Sequence, residues 1–156
     1  REEFLGIWDG LRRFVRERKD GVELEFWGLD VSSLPRLDCP VRARPFTFSY
    51  FLYLARLREA GFDVLLAPLL DRPRPRLAKS PIKYYEAAAA GALGIFSDVL
   101  PYAALPAGVT CLKAGPLPED WYRALHEAAE MSPQQRSLCP ALADAERLRR
   151  TVYANL

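Results

Sequence analysis

Asp63-Val64-Leu65-Leu66-Ala67-Pro68 and, after a proline- and arginine-rich loop, Ser80-Pro81-Ile82-Lys83-Tyr84-Tyr85-Glu86-Ala87-Ala88-Ala89-Ala90-Gly91 with Leu93-Gly94-Ile95-Phe96 behind it, form the stretch that decides the fold. The first run is short and continuously apolar, as a strand is when both of its faces are covered. The second opens on a serine suited to cap a helix and a proline suited to its first turn, and it closes on glycine. The third is another short apolar run. A buried strand, a helix and a second buried strand in that order predict parallel pairing within an α/β layer structure.

Outward from this core the alternation continues. Arg1 to Lys19 spaces Phe4, Trp8, Leu11 and Val15 as one face of a helix, which Asp20-Gly21 ends. Val22 to Trp27 alternates apolar and acidic residues, the period of a strand with one wetter face. Asp30 to Pro45 reads as loop with a short strand near Val41–Ala43, and a helix follows from Phe48 to Ala60, stopped by Gly61. Beyond the central stretch, Val109 to Leu112 reads as a strand and Pro118–Met131 and Pro133–Tyr153 as helices. The last of these carries Ser132 as cap, Pro133 at the first position and Gln135 three after the cap. The expected fold is a three-layer, Rossmann-like parallel sheet flanked by helices. The pattern opens on a helix, whereas sheets of this kind begin on a central strand, so a first strand is expected upstream.

The bulk composition is that of one globular domain spanning 1–156, with half of the residues hydrophobic and 27% charged. A net charge of +2 is too small to point to nucleic acid as a partner. The helix over 1–19 mixes Arg12, Arg13, Arg16 and Arg18 with Glu17 and reads as a solvated face, but Arg72, Arg74, Arg76, Lys79 and Lys83 gather around the loop before the central helix. Cys39, Cys111 and Cys139 have neither zinc nor disulfide spacing and read as thiols in a reducing cytoplasm. No apolar run reaches the length of a membrane span, and no signal peptide opens the sequence.

The chemistry gathers where the central helix begins. Open parallel sheets bind ligands beyond the carboxyl ends of their strands, and a helix terminus there offers free N–H groups and a favourable dipole to an anion. Ser80, Pro81 and Ile82 form that terminus, with Lys79 and Lys83 adding charge. Lys83 and Glu86, three apart, share a face, while Ile82, Tyr85 and Ala89 are expected on the core side. On residue types alone this could equally be an ordinary amphipathic helix with an exposed Lys83–Glu86 pair.

The sequence DVLLAPL…KSPIKYYEAAAAGALGIFSD…PY resembles the donor-binding domain of the group-1 (family-four-like) glycosyltransferases of the GT-B fold. Gly91, Ile95, Ser97, Asp98 and Pro101-Tyr102 fit the same pattern. The resemblance extends loosely from Val22 to Val152 and is most specific from Asp63 to Tyr102. It implies the C-terminal half of a two-domain enzyme that transfers a sugar from a nucleotide-diphosphate sugar to an acceptor hydroxyl, with an N-terminal acceptor domain as its other half. It implies that Glu86 binds the donor ribose, that Lys79, Ser80, Pro81, Ile82 and Lys83 hold the diphosphate, and that the loop with Phe46, and Tyr50 beyond it, flanks the base. No metal and no cofactor beyond the donor substrate are implied. Ala78 departs from the pattern, standing where the family carries a glutamate that touches the donor sugar. A non-catalytic binding or assembly module of the same fold is the alternative that this departure supports.

Other constellations are weaker. His126 is the only histidine and lies in the helix over 118–131, away from the lysine–glutamate segment. Ser32-Ser33, Ser49 and Ser97 lack the setting of an activated nucleophile. Neither a G-x-G-x-x-G nor a P-loop occurs. Asp71 and Asp98 lack a second aspartate at metal-binding spacing. Trp8, Trp27 and Trp121 read as core residues.

Overall fold

The computed structural model describes residues 2–18, 21–70, 80–108, 110–136 and 138. Lys79, Ala78, Asp71, the arginines at 72, 74 and 76, Val109, Cys139 and most of the helix expected over 133–153 lie outside the described residues. The elements are α1 (Glu2–Leu5), α2 (Trp8–Glu17), β1 (Leu24–Trp27), β2 (Val41–Arg44), α3 (Tyr50–Ala60), β3 (Val64–Ala67), α4 (Ile82–Ala90), β4 (Leu93–Ser97), a short 3₁₀ turn (Tyr102–Ala104), β5 (Leu112–Ala114) and α5 (Pro118–Glu130).

All strand pairing among the described residues is parallel, and the fold is α/β as expected. The sheet, however, comes in two pieces. β1 pairs with β2, and β3-β4-β5 form a separate three-stranded sheet. Within β4 the pleat sends Leu93 and Ile95 to one side and Phe96 to the other. The first side packs on Leu11, Phe14 and Val15 of α2 and on Trp121, Ala124 and Leu125 of α5. The second packs on Tyr84 and Ala87 of α4, with Tyr102 stacked on Phe96 at 4.8 Å between ring centres. Each of these large side chains contributes roughly 1.5–3 kcal/mol through burial. Helices therefore cover both faces of the sheet.

Local chemistry explains most boundaries. Ser49 caps α3, its hydroxyl accepting from the Leu52 N–H, and Gly61 ends that helix in the left-handed region at φ 64°. Gly10 lets α2 lie directly on α5, since a Cβ there would collide with the Pro118 carbonyl. Ser132 and Gln135 form the expected reciprocal cap, Gln135 Oε1 accepting from the Ser132 N–H at 2.8 Å and Ser132 Oγ from the Gln135 N–H at 3.2 Å.

Several expectations are corrected. The first helix breaks after Leu5, where the chain tightens through Gly6 N–H to Glu2 carbonyl and Ile7 N–H to Phe4 carbonyl bonds. The last strand falls at Leu112–Ala114, later than expected from the apolar run at 109–112. Ser80 does not cap α4. Pro81 occupies the cap position, and the first turn closes through the Tyr84 N–H to its carbonyl without a side-chain bond. The core face of α4 is Tyr84 and Ala87, while Ile82 projects outward. Tyr85 is half-buried against the same cluster, so the face expected from the residues at 82, 85 and 89 is turned towards Tyr84, Ala87 and Ala88.

Candidate functional site

The carboxyl ends of β1 and β3 and the start of α4 meet around a cavity of 580 Å³. Trp27, Tyr53, Ser80, Ile82, Lys83 and Tyr102 line this part of it. The loop after β3 is pinned in place by Ser97, whose buried hydroxyl accepts from the Leu69 N–H at 2.7 Å. Ser97 thus anchors the chain at Leu69, just past β3.

Lys83, Glu86 and Tyr53 form one polar cluster. Lys83 Nζ donates to Glu86 Oε2 at 2.6 Å and lies 3.0 Å from the Tyr53 hydroxyl, which itself donates to Glu86 Oε2 at 2.8 Å. The exposed ion pair that spacing alone allows is not what forms. Glu86 is 2% exposed, one of the few charged side chains taken into the interior. Such a carboxylate persists there only if it is paired and hydrogen-bonded. Both bonds end on Oε2, and no hydrogen bond reaches Oε1 among the described residues. Lys83 keeps a side chain 42% exposed, so its ammonium meets the carboxylate on one side and the cavity on the other.

The electrostatics follow from this arrangement. Burial pulls the Lys83 ammonium towards deprotonation, but its bonds to Glu86 and Tyr53 outweigh that and its pKa is raised. Burial raises the Tyr53 phenol pKa against the lowering effect of Lys83. Burial pushes Tyr102 to about 12, with Lys83 lowering it and Glu86 raising it. At neutral pH the cavity therefore presents a fixed cation flanked by neutral phenols.

An aromatic wall completes the site. Trp27 meets Tyr53 edge-on at 5.6 Å, and Tyr50 stacks on Tyr53 at 6.2 Å. The Trp27 indole N–H donates to Glu25 Oε1 at 2.8 Å, which also receives Arg44 Nε at 2.9 Å. Phe46 lies against Gly28 just past β1 and makes an edge contact with Phe48, which is 95% exposed.

Of the residues singled out in the sequence, Ser80, Ile82 and Lys83 line the cavity. Glu86 sits beneath Lys83, and Tyr50 joins through Tyr53. Phe46 and Pro81 are not among the residues that line it, and Lys79 is not among the described residues. His126 packs on Phe14 and Tyr122 with Nε2 3.1 Å from Glu17, remote from this cluster. Trp8 and Trp121 are core residues as expected, but Trp27 belongs to the site. Tyr53 was not singled out in the sequence. Its one signal was its position three after Tyr50, on the same helix face.

Among the described residues no group of three or more histidine, cysteine, aspartate or glutamate side chains could hold a metal, and no helix is long and apolar enough to cross a membrane. No protein-family model matches this chain, and no curated protein matches it either.

Proposed function

We propose that this chain is the donor-binding domain of a glycosyltransferase, acting on a nucleotide-diphosphate sugar together with a second domain that presents the acceptor hydroxyl. The observation that carries this reading is the Lys83–Glu86–Tyr53 cluster, set at the carboxyl edge of parallel strands beside a cavity of nucleotide-accommodating size. Lys83 offers a permanent positive charge to the diphosphate, and the Ser80 hydroxyl and the first amides of α4 lie next to it. The resemblance assigns Lys79 to the same diphosphate. As the bond to the sugar breaks, negative charge grows on the departing diphosphate, and a cation already in place stabilises it without rearrangement. Glu86 takes the ribose, one ribose hydroxyl replacing the Tyr53 hydroxyl as donor to Oε2. Tyr50 and Phe46 supply flat surfaces for the base.

Thermal melting with nucleotides tests the proposal. UDP or GDP at one hundred times the dissociation constant should stabilise the fold by about 2.7 kcal/mol over the ligand-free protein, and UMP or GMP at the same concentration by less. EDTA should leave the shift intact. Equal shifts from mono- and diphosphates would remove the phosphate role from Lys83.

One observation favours a non-catalytic binding module instead. Glu86 Oε2 already receives two donors from within the protein, so its charge is compensated without a ligand. In that case none of the four nucleotides should shift the melt.

A further inference from the structure

α3 is apolar on two opposite sides. One side turns inward as expected: Leu57 is buried, and Tyr53 and Leu54 are half-buried. The outer side of a surface helix ordinarily carries charged or polar residues. Here Phe48, just before the Ser49 cap, and Phe51, Leu52 and Ala55 all face outward, at the spacing of one helix stripe. Phe48 is 95% and Phe51 85% exposed, and Phe46 meets Phe48 edge-on from the preceding turn. Single exposed apolar residues are ordinary, but a contiguous stripe of phenylalanines marks a surface that is covered in use.

The charges around the stripe have one sign. From Cys39 to Arg58 the sequence holds Arg42, Arg44, Arg56 and Arg58 and neither aspartate nor glutamate. Arg42 and Arg44 are paired with Glu23 and Glu25, and Arg58 donates to the Ala89 carbonyl. Arg56 has no carboxylate partner among the described residues. Its Nη1 donates to Thr47 Oγ1 at 3.3 Å, which holds the guanidinium beside the turn that carries Phe46 and Phe48. What covers this face must be apolar and anionic at once, and it must receive side chains that project.

We propose that this face docks on the surface of an anionic phospholipid bilayer, with Phe48, Phe51 and Leu52 entering the boundary between headgroups and acyl chains and Arg56 meeting a lipid phosphate. A bilayer interface takes up projecting apolar groups without a preformed pocket, and its anionic headgroups supply the charge that Arg56 lacks. A second copy is a poorer occupant, because a two-fold pairing of this face would set its arginines against one another. None of Lys83, Glu86 and Tyr53 takes part, so the inference stands whether or not the site binds a nucleotide.

Vesicle flotation supplies the test. The chain should bind vesicles of phosphatidylcholine with phosphatidylglycerol about tenfold or more tightly than vesicles of phosphatidylcholine alone, and lose most of that preference in about 1 M salt. Phe48→Ser with Phe51→Ser should melt like the parent, since both side chains project, yet bind the anionic vesicles about tenfold more weakly or worse. Arg56→Gln should cost about fivefold on anionic vesicles and nothing on neutral ones. In Phe48→Trp, the emission of the introduced indole should move to shorter wavelength when anionic vesicles are added. Absence of binding, equal binding to both vesicles, or an unmoved indole would overturn the proposal. So would self-association that the double variant abolishes, without vesicle binding, which would give the face to a second copy.

Discussion

Glu86→Gln probes the site at its centre. Glutamine keeps the shape of the side chain and one carbonyl oxygen, and that oxygen can take the place of Oε2 facing Lys83 and Tyr53, at 2.6 and 2.8 Å in the parent protein. What disappears is the charge. Hydrogen bonds to a charged group contribute about 1.5–3 kcal/mol and neutral ones about 0.5–1.5. The Lys83 side chain is 42% exposed, so its ammonium recovers part of the loss from water. The expected destabilisation is about 1–2 kcal/mol, or roughly 2–8 °C in melting temperature for a domain of this length. Replacing both partners, as Lys83→Met with Glu86→Gln, should cost about 1 kcal/mol less than the sum of the single changes, because the second removes an interaction already lost. Circular dichroism melts of the four proteins give the cycle directly. A single variant melting within about 1 °C of the parent, or a double variant at the full sum, would refute the buried-cluster reasoning and return Glu86 to an ordinary helix position. In the presence of UDP or GDP, the same substitution should weaken binding about tenfold, since about 1.4 kcal/mol is a factor of ten.

Tyr53→Phe removes the hydroxyl that competes with ribose for Oε2; it should cost about 0.5–1.5 kcal/mol of stability yet tighten nucleoside diphosphate binding, and weaker binding in calorimetry would contradict the exchange. In the folded state Tyr102 titrates near 12 and Tyr53 and Lys83 are also raised, so the folded chain holds more protons in alkali than the unfolded one. Stability should therefore be full below about pH 10 and fall from there towards pH 12, with Tyr102→Phe flattening the decline; a urea midpoint unchanged over that window would refute the assignment. Gly10→Ala gains about 1 kcal/mol of helix propensity but places a methyl group on the Pro118 carbonyl and close to the Tyr122 amide. Overpacking of about 3 kcal/mol should win, for a net loss near 2 kcal/mol, and a neutral or higher melting temperature would show that α2 and α5 can part freely.

The fold was legible where one residue type dominated a short run. The strand at 64–67 and the stops at Gly61 and Gly91 follow from apolar continuity and from glycine's ease in the left-handed region, seen at φ 64° and 72°. The Ser132–Gln135 cap was equally plain, because the two halves of the motif lie three residues apart. What depends on distant contacts was not legible. Ser80 and Pro81 together predicted a cap, yet α4 begins one residue later and turns Tyr84 inward. The spacing of Lys83 and Glu86 showed that they meet, but burial of Glu86 goes with Tyr53, about thirty residues away in sequence, coming from α3. Likewise no local pattern distinguishes one parallel sheet from two separate pieces.

The three tryptophans divide the molecule optically. Trp8 and Trp121 are sealed in the core between α2, α5 and the sheet, while Trp27 stands at the cavity edge against Tyr53. An indole in dry surroundings emits at shorter wavelength than one meeting water, so Trp27 contributes the red side of the emission and the other two the blue. A molecule entering the cavity would quench the red component alone, and unfolding would shift all three. Trp27→Phe should therefore leave a protein that still reports its own melting by fluorescence but is blind to what binds it.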